Sequence, residues 1–481
     1  MRWLKAQQIL GLLLMAFSLT MLPPIGVSLW YGDGESHHFL LTLAATFGAG
    51  MLLWLPVRGN RQELRVRAGF IVVALFWTIL STLSGLPFLF SPHLSFTNAV
   101  FESVSGFTTT GATVITHLEG LPRSILYYRQ QLHWFGGMGI IVLAVAIMPM
   151  LGIGGMQLYR AEIPGPVKDE KLTPRIAHTA RLLWYFYVGL TVVCAGAYWI
   201  AGMTPFDAIG HSFATISTGG FSTHDASLGY FDSSTIEIIA EVFMILGGIN
   251  FSIHFLAWQN RSLLQYLDDT ETRSFLLIIA AAILIVTLVL WGQEPGNNLL
   301  AVLRPATFQV ISIITSTGFT TENFSTWPSL LPIMLIYLSF IGGCAGSTAG
   351  GMKVVRVVLL LKQAHREIKR LVHPSGQFPV RVGSRSMPER VMSAVWGFFA
   401  LYLISTATLT MLMVGTGLDV LSAFSGVAAC LNVMGPGLGE VATTYSGVSS
   451  AGKWILIFAM LLGRLEIFTV FVLMTPAFWR K

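Results

Sequence analysis

Charged residues are scarce in this chain. Asp, Glu, Lys and Arg make up 11% of its 481 residues, where a soluble globular domain carries about a quarter. Hydrophobic residues make up 54% and the mean hydropathy is +0.68, which excludes a soluble domain. Cysteine is nearly absent. Cys194, Cys344 and Cys430 lie in apolar or glycine-rich stretches without metal-ligand spacing, so they read as small buried residues. His-Glu-x-x-His and Gly-x-Ser-x-Gly are both missing, which argues against an intramembrane enzyme. Gly-x-Gly-x-x-Gly is missing as well, so any nucleotide sensing belongs to another chain.

What is present is apolar sequence in runs near the ~20 residues that a hydrocarbon core requires. Spans fall at roughly 9–30, 37–57, 68–90, 129–151, 181–202, 233–257, 274–292, 329–352, 391–416 and 454–478. The N-terminus has the basic start and apolar run of a signal peptide. It shows no small-x-small cleavage site and reads as a retained first helix. Ten crossings put both termini on one side, and that side receives 24 of the 29 Lys and Arg. The other side receives Arg123, Arg129, Arg304 and Lys453, and Arg464 falls inside a span. The positive-inside rule then makes the termini cytoplasmic. The pI of 9.3 reflects this placement and does not imply a nucleic acid partner.

Four external connections each hold a half-apolar stretch too short to span, ending in a small, hydroxyl-rich, glycine cluster. They are TNAVFESVSGFTTTGAT, FDAIGHSFATISTGGFS, RPATFQVISIITSTGFT and LSAFSGVAACLNVMGPG. Aligned on Gly111, Gly220, Gly318 and Gly435, they carry Ala99, Ala208, Ala306 and Ala423 twelve residues earlier. Thr108, Ser217, Thr315 and Asn432 fall three residues earlier. Gly219 could replace Gly220, and the Gly-Pro-Gly-Leu-Gly of the fourth stretch offers other glycines. A second glycine mark follows 25, 27, 24 and 28 residues on, at Gly136–Gly137, Gly247–Gly248, Gly342–Gly343 and Gly463–Arg464. Each unit reads as helix, re-entrant half-helix, glycine loop, helix.

Non-helical backbone is tolerated at membrane depth only where protein buries it or it lines a watery cavity. Glycine reaches positive φ without a Cβ clash and so can turn carbonyls toward an axis. Four such loops would ring an ion with oxygens that replace its hydration shell. A half-helix ending at the centre offers its partially negative end to a cation. The external segment 202–232 has no Lys or Arg and carries Asp207, Asp225 and Asp232, a sign that concentrates cations unless these are simply solvated loop carboxylates.

FTTTGAT, ISTGGFSTHD, TSTGFTT, GPGLGE, GGCAGSTAGGMKVVR and MLLGRLEIFTVF resemble the Trk/Ktr/HKT superfamily of K⁺ transport proteins, nearest its bacterial TrkH/TrkG pore-forming branch. The likeness runs over almost the whole chain. It implies an all-α integral membrane protein of ten transmembrane helices. Four pseudo-repeats of helix–pore loop–helix would surround one central ion pathway, beside an N-terminal helix pair. The units would be 1–60 (helix pair), 61–165, 166–265, 266–385 (with an intramembrane gating loop) and 386–481. It also implies K⁺ uptake across a bacterial inner membrane, no organic cofactor, a homodimer, and a cytosolic nucleotide-binding gating ring of the TrkA type. The filter would be Thr109, Thr110, Gly111 and Ala112, then Thr218, Gly219, Gly220 and Phe221, then Thr317, Gly318 and Phe319, and last Met434, Gly435 and Pro436. K⁺ itself would be held at Thr110, Gly111, Gly219, Gly220, Thr317, Gly318, Met434 and Gly435. Plant relatives that prefer Na⁺ carry Ser at the first glycine, so Gly111 points to K⁺.

Gly342 to Gly351 holds five glycines in ten residues of span eight. Each glycine weakens a helix by ~1 kcal/mol relative to Ala. The stretch reads either as small-residue helix packing or, as the resemblance implies, as a break forming a mobile loop below the filter. The gate candidates are Gly343, Gly346, Gly350, Gly351, Lys353 and Arg464. Arg464 would lie ~16 Å into the membrane at 1.5 Å per residue, where a charge costs ~2.5–3.5 kcal/mol. Glu466, two residues on, faces another way on a helix. Arg464 is therefore expected to project beneath the filter as an electrostatic barrier, the role of a matching arginine in the family. Lys353 either assists it or anchors the cytoplasmic end, while Asn250 and His254 read as packing or interfacial residues. The basic stretch 353–390 suits membrane lipid or, by the resemblance, the gating ring. A symporter coupling K⁺ to H⁺ or Na⁺ is the alternative, although it would want more ionisable residues at mid-membrane.

Overall fold

The computed structural model describes residues 2–59, 66–142, 172–293, 298–383 and 385–480. Helix dominates. Among the described residues the sole strand pairing is a short antiparallel ladder, Arg381–Val382 with Arg385–Ser386. Among the same residues, six helical runs are long and apolar enough to cross a membrane: Leu4–Tyr31, Ser36–Val57, Gly69–Phe90, Arg181–Ile200, Thr270–Gln293 and Glu389–Val414. The expected span 129–151 is described to Val142, in the helix Arg123–Val142, and lies outside the described residues beyond it.

Three expected spans are interrupted. Ser234–Gly248 and Phe251–Asn260 meet at 98°, and Ser450–Arg464 and Ile467–Met474 meet at 110°. The eighth stops at Ile341, because Gly342 turns to φ +71 and Gly346 and Gly351 follow at +75 and +77. Irregular backbone continues to Lys353, and Val354–Val372 then resumes as a helix. Glycine adopts such angles without strain, which settles the glycine-rich stretch as a break rather than helix packing. The first two spans cross closely: a Cβ on Gly11 would lie 2.7 Å from the Gly50 carbonyl oxygen, and one on Gly50 2.8 Å from that of Gly11.

Four shorter helices carry the glycine stretches: Phe96–Thr108, Pro205–Ile216, Leu299–Ile314 and Val420–Leu431. At 1.5 Å per residue they run only ~18–24 Å. Each starts on a polar cap (Ser95, Thr204, Asn298, Asp419) whose side chain accepts an N–H of the first turn, satisfying an otherwise orphaned donor. Each also ends alike. Thr109, Thr218, Ser316 and Val433 take left-handed φ of +59, +51, +53 and +59. The following N–H, of Thr110, Gly219, Thr317 or Met434, then donates to the carbonyl five residues back at 2.8 Å. This closure caps a helix and turns the chain sharply. Ala99, Ala208, Ala306 and Ala423 are all buried, their small size admitting neighbouring helices.

Candidate ion pathway and intramembrane loop

Beyond the left-handed residue, Gly111, Gly220, Gly318 and Gly435 take φ of +81, +81, +80 and +97. Gly219 has no such angle, so the second stretch aligns on Gly220. The four loops meet. A Cβ on Gly111 would strike the Gly219 carbonyl oxygen, one on Gly220 that of Thr317, and one on Gly318 that of Met434. One on Gly435 would lie 2.8 Å from the Thr110 carbonyl oxygen. Each glycine thus abuts the main-chain carbonyl before the next glycine, and the fourth abuts the first. The circle closes in chain order.

Hydroxyls brace it from behind. Thr108 and Thr110 share a hydrogen bond of 2.8 Å, and so do Thr315 and Thr317. At the matching position of the fourth unit, Asn432 donates to Ser339 Oγ at 2.7 Å and accepts from the Tyr402 hydroxyl. Ala112, Phe221 and Phe319 are buried beside their glycines, whereas Pro436 stands partly open. Outside the ring lies a cavity of about 320 Å³ lined by all four glycines, Asp225 and Glu322.

Gly342–Lys353 runs under the same ring. Gly350 N–H donates to Ser316 Oγ at 2.5 Å, and a Cβ on Gly350 would strike the Asn432 carbonyl oxygen. The Thr348 hydroxyl lies 3.0 Å from the Ile216 and Gly247 carbonyl oxygens and 3.2 Å from the Thr218 hydroxyl. Gly343 packs near the Gly248 carbonyl oxygen and Gly346 near Asn250. Arg464 ends the helix Ser450–Arg464 and is 2% exposed. It donates to the Thr348 carbonyl at 3.1 Å and to the Gly136 carbonyl at 2.9 Å. Gly136 in turn lies against the Phe107 carbonyl, at the end of the first short helix. The guanidinium therefore ties the loop to the underside of the first unit.

The profile of the TrkH cation transport proteins matches residues 35–481. The chain is 55% identical over 476 residues to the Trk system potassium uptake protein TrkH of Halomonas elongata, covering 98% of both. It is 53% identical to that of Escherichia coli K12, covering 98% of this chain and 99% of the relative. The crystal structure of the potassium transporter TrkH from Vibrio parahaemolyticus superposes with a TM-score of 0.93, at 50% identity and with full coverage of both chains. The chain belongs to the TrkH family.

That family transports cations and is not enzymatic, so this TrkH-family chain is a transport protein rather than an enzyme. Several of its structural residues escaped sequence reasoning. Arg129 was expected at the outer end of a span. It is instead buried with Glu102, at 2.8 Å. Glu102 also accepts the Val114 N–H at 2.9 Å and the Thr113 hydroxyl at 3.0 Å. Arg129 donates to the Ser222 carbonyl at 3.1 Å and lies over the Phe221 ring. The pair thereby fastens the first glycine loop to the second. The only hint in the sequence was that Glu102 is the one charged residue of its half-helix.

Of the three aspartates of segment 202–232, only Asp225 lines this cavity. Asp207 is buried, bonded to Thr204 and Thr223, and Asp232 pairs with Arg304 at 3.2 Å. Glu466 does not meet Arg464 but pairs with Arg356 at 2.8 Å. Lys353 turns back to the Ala349 carbonyl, within the loop. Asn250 accepts the Ser252 N–H and starts the second half of its broken span, while His254 bonds the Leu246 carbonyl and the Tyr266 hydroxyl.

Proposed function

We propose that the chain is the pore-forming subunit of a bacterial Trk potassium uptake system. It forms four pseudo-repeats, with boundaries near 61, 166, 266 and 386, around one ion pathway, with ten crossings in the inner membrane and cytoplasmic termini. The observation that carries this reading is the closed circle of carbonyls and positive-φ glycines. A cation that has shed water needs oxygens on several sides at once. The residues at Thr109–Ala112, Thr218–Phe221, Thr317–Phe319 and Met434–Pro436 supply main-chain oxygens from four directions. Four short helices aim their negative ends there.

Below that circle the loop around Gly343, Gly346, Gly350 and Gly351, braced by Lys353 and Arg464, acts as the gate. The Arg464 cation opposes K⁺ until the loop moves. K⁺ is the cargo, and no organic cofactor is needed on this chain. A homodimer, surrounding lipid and a TrkA-type cytosolic ring complete the system. The helix Val354–Val372, basic and exposing Leu361, Ile368 and Leu371, suits such a partner. A K⁺ symporter coupled to H⁺ or Na⁺ would need a titratable group free to bind the co-ion on the pathway. Glu102, bonded to the first loop, is occupied by Arg129, and Asp225 and Glu322 line the cavity beyond the ring rather than the ring itself, which favours a pore.

Flux of K⁺, Rb⁺ and Na⁺ through purified protein in liposomes, without any co-ion gradient, tests this reading. Ser at position 111 brings a Cβ against the Gly219 carbonyl at a strained φ, so Gly111→Ser loses selectivity. Arg464→Ala raises basal leak. Unaltered selectivity in the first variant counts against the filter, and unaltered leak in the second against the barrier.

A further inference from the structure

The loop Gly342–Lys353 is held largely through its main chain. Cys344 N–H donates to the Gly248 carbonyl at 2.8 Å, and Val354 N–H reaches back to the Gly343 carbonyl at 3.1 Å. That second bond makes a neck where the loop leaves one helix and enters the next. A carboxylate from an earlier helix of the same unit sits on this neck. Glu271, in the first turn of Thr270–Gln293, is 4% exposed. Its Oε1 accepts the Ala345 N–H at 2.7 Å and the Val355 N–H at 3.1 Å. The two donors flank the part of the loop that lies under the ring, Thr348 and Gly350.

We propose that Glu271 is a positioning residue that latches the neck, keeping Thr348 and Arg464 beneath the ring; this rests on the gate reading above. Charge-assisted bonds to backbone N–H groups are about twice as strong as neutral ones. A buried N–H that loses its acceptor is destabilised. One oxygen accepts both amides, so the neck cannot widen without breaking at least one bond to the same atom. The latch thereby joins the loop's two ends into a single moving element. It also links that element to the cytoplasmic turn preceding the Thr270–Gln293 helix, where Asp269 accepts the Thr272 N–H at 2.7 Å.

The test uses the full chain in K⁺-loaded liposomes, in a Cys194→Ala, Cys430→Ala background. Cys344 is then the sole thiol, and it is buried on the loop. Basal K⁺ leak, K⁺ over Na⁺ selectivity and the rate of Cys344 alkylation are measured together. Glu271→Ala is expected to raise leak and alkylation by about tenfold, the effect of losing one hydrogen bond to a charged group, with selectivity kept. Glu271→Gln, whose amide oxygen can accept both N–H groups, is expected to return both toward the parent values. Leak from Arg464→Ala without leak from Glu271→Ala overturns the latch and leaves the gate standing. No leak from either variant overturns both. Leak in Glu271→Ala that comes with lost selectivity and no rescue by Gln marks a general packing defect and overturns the latch.

Discussion

Burying Glu102 beside Arg129 withdraws two charges from water, a cost repaid only when the pair is close and its other donors and acceptors are met. Here they are met, by Thr113, Val114 and Ser222. Removing one partner leaves the other charge stranded, a loss of about 3–5 kcal/mol. Glu102→Ala and Arg129→Ala should each lower the unfolding midpoint in detergent, and the double Glu102→Met, Arg129→Met should recover much of it. A double variant no more stable than either single one would show that the pair is not the cause. At the mouth of the cavity, which the proposed topology puts outside, Asp225 is held above the usual carboxylate range by partial burial and by the neighbouring Glu119. A group so raised takes its proton first as external pH falls, and the mouth then loses negative charge. Apparent K⁺ affinity for uptake should therefore weaken toward low external pH by about twofold, the factor for one charge at ~8 Å in water. Asp225→Asn should be weakened already at pH 7 and change less with pH. A variant that keeps the full pH response would remove Asp225 from this role.

The short helices and their glycine loops were legible in sequence because their determinants are local. A polar cap starts each helix, and a glycine at positive φ follows its end. The third helix hides one irregularity: its cap, Asn298, lies one turn further from Gly318 than the other caps lie from their glycines, with Pro305 inside the helix. The bends at Ile249 and Glu466 were not legible, since the glycines beside them, Gly247, Gly248 and Gly463, stay within their helices and take no positive φ. Glu466 takes φ +55 in a context that its ion pair with Arg356 supports. Glu271 and Glu102 were missed because their partners are 74, 84 and 27 residues away. At this scale the loop's fit beneath the ring is testable. Gly350→Val would drive a side chain into the Asn432 carbonyl and Val433, pushing the loop away. Basal K⁺ leak in liposomes should rise several-fold with selectivity kept, while an unchanged leak would separate the loop from the gate.

At the scale of the molecule, the quarters of one polypeptide meet through contacts made in chain order, first to second, second to third, third to fourth and fourth to first. Their sequences differ most in the fourth, where Met434 and Asn432 stand for the threonines of the first and third. A ring built from main-chain carbonyls tolerates this, since its oxygens do not depend on the side chains. The first two spans contribute no glycine loop and pack outside, crossing at Gly11 and Gly50. The proposed conduction presupposes that a bare cation rests inside the ring. Anomalous scattering from crystals grown in Rb⁺ tests that directly. A peak ringed by the main-chain oxygens of Thr110, Gly219, Thr317 and Met434 and their following glycines is the expected result. A ring without a peak, with Rb⁺ bound elsewhere in the membrane span, would contradict the account.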